Sequence, residues 1–97
     1  MPTYVTLFNL TEEGVKAIKN APARLAENTK AMEAAGGKLI GFYLTMGAYD
    51  YVAISEWPSD EAAMSFLLTL GSMGAVRTTT LKAFAQEEAI ALINNLP

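Results

Sequence analysis

The chain has no cysteine and no histidine. Without thiols it forms no disulfide framework and supplies no thiolate nucleophile. Without imidazole it builds no Cys/His zinc site, ligates no haem through histidine and assembles no Ser-His-Asp or Cys-His triad. Charge is also scarce, seven Lys and Arg against ten Asp and Glu leaving a net charge of -3. The cations, from Lys16 to Lys82, are scattered along the chain instead of clustered as phosphate neutralisation requires, so no nucleic-acid partner is expected. Long apolar runs are missing too. The nearest, Phe66 to Leu70, is soon broken by Gly71 and Gly74, too short for the roughly 20 residues of a membrane span. Met1-Pro2-Thr3 enters a strand-like segment with no basic n-region, so neither a signal peptide nor a membrane partner is expected, and the expected location is cytoplasmic. No two carboxylates have a metal-site spacing, and neither a metal nor a cofactor is expected.

What is present suits one compact core. Hydrophobic residues make up 52% of 97 positions, enough for a single domain over residues 1–97 and too little chain for two. Tyr4–Leu10 is rich in β-branched and aromatic residues and reads as a strand. Thr11 then caps a helix opening with Glu12 and Glu13, a break falls near Asn20-Ala21 because Pro22 belongs at a helix start, and Gly36-Gly37 ends the second stretch. Leu39–Met46 and Tyr49–Trp57 read as strands joined tightly at Gly47-Ala48. Ser59 caps a helix whose Met64, Leu67, Leu68 and Gly71 are spaced to face a sheet. Thr-rich Val76–Phe84 is a fourth strand. A last helix, Gln86–Asn95, carries the apolar stripe Ala89, Leu92, Ile93, Leu96 and needs a surface to lie on, one that a neighbouring subunit can provide. The order predicts an α+β fold, a ferredoxin-like βαββαβ sandwich over 4–85 with a C-terminal helix over 86–97.

Two helices cover one face of such a sheet. Val52 and Ile54, with Val5 and Leu7, suit the covered face. The other phase, Tyr49, Tyr51, Ala53, Ser55 and Trp57 with Tyr4, Thr6 and Phe8, is then expected on the open face. An open aromatic patch in a soluble protein marks an interface or a ligand groove, so two copies are expected to pack sheet to sheet as a homodimer, open to higher homo-oligomers through the last helix. Replacing Trp57 with Glu is then expected to weaken the dimer by burying an unpaired charge.

Tyr4-Val5-Thr6-Leu7-Phe8-Asn9, the break at Pro22, Leu44-Thr45-Met46-Gly47-Ala48-Tyr49-Asp50 and Gly74-Ala75-Val76-Arg77-Thr78-Thr79-Thr80-Leu81 resemble the GYD domain family, whose name matches Gly47, Tyr49 and Asp50. The resemblance covers essentially the whole chain and implies a dimeric α/β barrel. The wider barrel superfamily includes cofactor-independent monooxygenases, haem enzymes, lactone isomerases and non-catalytic stress proteins, and its haem and metal chemistry generally uses a histidine absent here. Function taken from fold alone is analogy.

The candidate ligand-binding residues are Tyr49, Asp50, Arg77, Trp57, Tyr51, Thr6 and Phe8. Gly47-x-Tyr49-Asp50 serves either as a hairpin turn or as a phenol and carboxylate pair at a pocket mouth. Arg77 either holds a substrate carboxylate or pairs with Asp50 or Glu56. Trp57 walls a pocket or anchors the dimer, while Met46, Met64 and Met73 are expected to fill gaps in the core. The function expected is that of a homo-oligomeric protein, small-molecule-binding or structural, without catalysis. The alternative is a cofactor-independent enzyme of the monooxygenase or isomerase type acting on a small aromatic or enolic substrate.

Overall fold

The computed structural model describes residues 1–97. β1 (Thr3–Leu10) leads into α1 (Glu12–Lys16), a 3-10 turn (Ile18–Asn20) and α2 (Ala21–Ala34). β2 (Lys38–Leu44), β3 (Tyr51–Glu56), α3 (Asp60–Ser72), β4 (Val76–Ala83) and α4 (Gln86–Asn94) follow. All strand pairs are antiparallel, in the order β2-β3-β1-β4, so the expected α+β, ferredoxin-like fold is what the chain adopts. No helix is long and apolar enough to cross a membrane.

The stop and start signals act where the residues suggested. Thr11 Oγ1 accepts from the Gly14 N–H at 3.2 Å and Ser59 Oγ from the Ala62 N–H at 3.1 Å, each satisfying an orphan donor of a helix N-terminus. Pro22 occupies the first turn of α2, where its missing N–H costs nothing. α1 lies close under β4, so that a Cβ on Gly14 would stand 2.2 Å from the Ala75 carbonyl oxygen. Glycine is required there for that approach.

The face assignment is reversed. Tyr4, Thr6, Ala53, Ser55 and Trp57 are buried beneath the helices, packed with Met32, Ala63 and Leu70. Register then puts Val5, Leu7, Val52, Ile54 and Leu81 on the uncovered face. The physical reason lies in the helices. Small residues such as Ala62 and Ala63 alternate there with Met32, Phe66, Leu67 and Leu70, and the wide side chains of Tyr4 and Trp57 fill the space that the alanines leave. Trp57 does so, stacking on Phe66 with ring centroids 5.2 Å apart.

Three smaller expectations also change. α3 faces the sheet through Ala63, Phe66, Leu67 and Leu70, while Met64 and Leu68 stay more than half exposed, because the helix is rotated by about one residue from the expected stripe. Met46, Met64 and Met73 are exposed, and Met32 is the buried methionine. The β2–β3 connection runs over residues 45–50, longer than a two-residue turn, because Asp50 is bonded to β1 instead of continuing β3.

Candidate functional site

The loop from Thr45 to Asp50 is a clamp. The Thr45 N–H donates to the Asp50 carbonyl at 2.9 Å, and the Thr45 hydroxyl donates to the Tyr49 carbonyl at 2.6 Å. Gly47 turns the chain at φ +107 with open space around it, a conformation that favours glycine. Asp50 then crosses to β1. Its N–H donates to the Phe8 carbonyl and its carboxylate accepts from the Leu10 N–H, both at 2.8 Å. This carboxylate anchors the hairpin on the end of the central strand, as a turn role for Gly47-x-Tyr49-Asp50 requires. Replacing Asp50 with alanine leaves the Leu10 donor unpaired and is expected to cost about 1–3 kcal/mol, much of it restored by asparagine. Urea midpoints of the two variants measure this, and equal midpoints for alanine and wild type would remove the clamp.

Beside the clamp lies an aromatic cluster. Phe42 sits 5.0 Å from Tyr51 and 6.3 Å from Phe8 between ring centroids, and Phe8 sits 6.1 Å from Tyr51 in an edge-on arrangement. By register these three share the helix side of the sheet. Phe8 and Tyr51 are thus brought together, with Phe42 as a member that period-2 counting on β1 and β3 alone could not supply.

Thr6 and Trp57 lie deeper. Thr6 Oγ1 meets Thr80 Oγ1 at 3.2 Å, and together with Tyr4, Ser55 and Trp57 they line an interior cavity of about 20 Å³. That space is close to the room one water occupies. Arg77 stands apart on the edge strand β4, its guanidinium 3.4 Å from the Gly71 and Val76 carbonyls. The expected pair with Asp50 or Glu56 does not form. Glu56 and Ala83 both align with Thr3, six residues along β4 from Arg77 and so about 20 Å away, and the Asp50 carboxylate is turned to Leu10. The seven candidate residues therefore occupy a loop clamp, an aromatic cluster, a packed interior and a sheet edge, not one pocket.

A polar cluster that no local pattern singles out lies where α3 begins. The Tyr4 hydroxyl donates to Asp60, and Lys82 Nζ pairs with the same carboxylate at 3.1 Å. Burial, then the hydrogen bond and charge of Asp60, push the Tyr4 phenol from 10.0 up to about 12. The bond from Tyr4, aided by Lys82, holds Asp60 below the usual carboxylate range. The three residues are separated by 56 and 22 positions, so no local pattern announces them.

The raised phenol fixes the sign of a pH effect. Tyr4 keeps its proton in the folded state at pH values where the unfolded chain has lost it. Its contribution is therefore complete below about pH 10 and is lost as pH rises towards 12. Alkaline titration of phenolate absorbance should show one of the four tyrosines ionising last, and Tyr4→Phe should delete that component. A normal final component, or its survival in the variant, would contradict the assignment.

The uncovered sheet face is apolar. Val5, Leu7, Val52 and Ile54 form its centre, with Leu81 52% exposed at one side and Tyr43 57% exposed at the other. The two phases of β1 and β3 are both apolar, so alternation could not say which of them the helices cover.

The GYD domain profile matches residues 4–93. A Thermus thermophilus protein named "Glutamine synthetase and cystathionine beta-lyase binding protein" is 32% identical over 92 residues, covering 94% of this chain and 97% of that protein. Among solved structures, that of FFRP-DM1 superposes with a TM-score of 0.61 at 19% identity, over 87% of this chain and all of the other, a likeness of fold.

Proposed function

The chain belongs to the GYD domain family, and from that premise we propose that it acts as a binding protein without catalysis of its own, a homodimer closed sheet to sheet that docks on metabolic enzymes. The observation that carries this is the apolar uncovered face around Val5, Leu7, Val52 and Ile54. A patch of this kind favours association. Two such faces, stacked about 10 Å apart, interdigitate as the layers of a sandwich do.

The interior cavity of about 20 Å³ is far below the roughly 300–1,000 Å³ of small-molecule sites. The cleft that reaches that size, about 460 Å³ and lined by Met1, Pro2, Lys82, Ala83, Phe84 and Glu88, is open to the surface and holds none of the seven candidate residues. The Asp50 carboxylate is occupied by the Leu10 amide and the Tyr4 phenol by Asp60. A small-molecule role for Tyr49, Tyr51 and Phe8 would use the surface beside the clamp, where the aromatic cluster is only partly covered.

The partner class comes from the Thermus relative, whose name specifies binding to glutamine synthetase and cystathionine beta-lyase. The experiment is biolayer interferometry of the immobilised full chain against those two enzymes, purified from the host that encodes it. Saturable binding to either at micromolar enzyme is expected. Flat responses to both at about 100 µM, beyond the range of even weak, transient complexes, would overturn the proposed partner class.

A further inference from the structure

We propose that α4 is an exchange arm, projecting from its own subunit and laying its apolar stripe on a second copy of this chain. This rests on the sheet-to-sheet dimer proposed above and adds a second contact to it.

The shape of the subunit shows the projection. A 97-residue chain packed as one ball has a radius of gyration of about 12.5 Å, whereas this chain has 14.7 Å and measures 51 Å along its longest axis against 18 Å along its shortest. An eight-residue strand is roughly 26 Å long and a nine-residue helix roughly 14 Å. An end-to-end placement of the 45–50 loop, the sheet and α4 accounts for the observed length. None of the α4 residues is buried, and Ile90, Leu92, Ile93 and the following Leu96 are between 48% and 68% exposed.

Such a helix needs a partner. Isolated helices shorter than about 12–15 residues are marginal in water, and α4 has nine residues that its own domain scarcely touches. A second copy is the occupant that fits. The sheet face, four strands wide and six paired residues long, offers roughly 400 Å² in projection. A stable interface buries about 800 Å² per partner. In a two-fold dimer each copy gives one arm and receives one, which adds nearly 300 Å² per copy on the same helical dimensions. The arm is also continuous with the face it would extend. It begins at Gln86, three residues after Ala83, which aligns with Thr3 on the uncovered side of the sheet.

The absence of cysteine makes the test clean. Full-length Ile93→Cys, labelled with a benzophenone maleimide and irradiated, is expected to give a covalent product of twice the subunit mass on a denaturing gel. Products confined to single subunits would overturn the arm. In parallel, Ile93→Glu is expected to raise the dimer dissociation constant at least about tenfold, with an unchanged far-ultraviolet circular dichroism spectrum. An unchanged constant overturns the arm as well. Ile54→Glu separates the two proposals. If it dissociates the dimer and Ile93→Glu does not, the sheet interface stands and the arm fails. The reverse pattern overturns the sheet interface and, with it, the arm as an addition to that interface.

Discussion

Replacing Trp57 with alanine is expected to remove roughly a third or more of the domain's stability, the largest loss of any single substitution in the core. Trp57 is 3% exposed, stacks on Phe66 and packs in one cluster with Tyr4, Met32 and Ala63. Its ring also fills the space beside Gly37, where even a Cβ would come within 2.9 Å of it. Removing a buried tryptophan costs about 3–5 kcal/mol, while a small domain commonly has only about 5–10 kcal/mol in total. Few other side chains share the load, since only 10 of 97 residues are buried in the subunit. Trp57→Phe keeps most of the apolar area and should cost much less. Urea unfolding followed by circular dichroism measures both. A loss below about 1 kcal/mol for the alanine variant would take Trp57 out of the core.

Ile54→Glu is expected to separate the proposed dimer while leaving each subunit folded. Ile54 stands in the middle of the uncovered face, aligned with Val5 on one side and Gly41 on the other. In the free subunit a carboxylate there reaches water. In the dimer it would be buried against the partner's Val and Ile side chains with no hydrogen-bond donor. Truncation or charge at the centre of an interface commonly costs 2 kcal/mol or more, and 3–4 kcal/mol corresponds to a dissociation constant raised about 10²–10³-fold. The neighbouring substitution supplies the contrast. Ser55 is 4% exposed beneath the helices, so Ser55→Glu should unfold the subunit instead of splitting the pair. If Ile54→Glu unfolds the chain and Ser55→Glu leaves it folded and monomeric, the two faces are interchanged.

These two variants bear on the one large feature that the residues did not reveal. Caps, breaks and order were legible because each has a local cause, such as the Thr11 and Ser59 hydroxyls, Pro22 in a first turn and glycine after a helix. The antiparallel sheet followed from their order. The covered face was not legible, because β1 and β3 carry apolar residues in both phases and only the shape of the packed helix face, with Ala63 beside Met32 and Phe66, decides that Tyr4 and Trp57 fill the gap. The turn role of Gly47-x-Tyr49-Asp50 was readable as an alternative, but the partner of Asp50, the amide of Leu10, lies 40 residues away. The Tyr4, Asp60 and Lys82 cluster is likewise made by tertiary contact alone. Arg77 was rightly placed on the fourth strand, but its pair with Asp50 or Glu56 failed for the same reason. Its partners depend on the position of β4 at the sheet edge, which no nearby residue encodes.

An apolar face, an unpartnered terminal helix and a small buried core are what the proposed dimer would complete. Native mass spectrometry of the freshly purified full chain over a dilution series from tens of micromolar downward tests this most directly. The expected result is a homodimer of the 10.4 kDa chain that gives way to subunits only on strong dilution. A monomer throughout that range would contradict it, leaving the face of Val5, Leu7, Val52 and Ile54 without the second copy that the account places there.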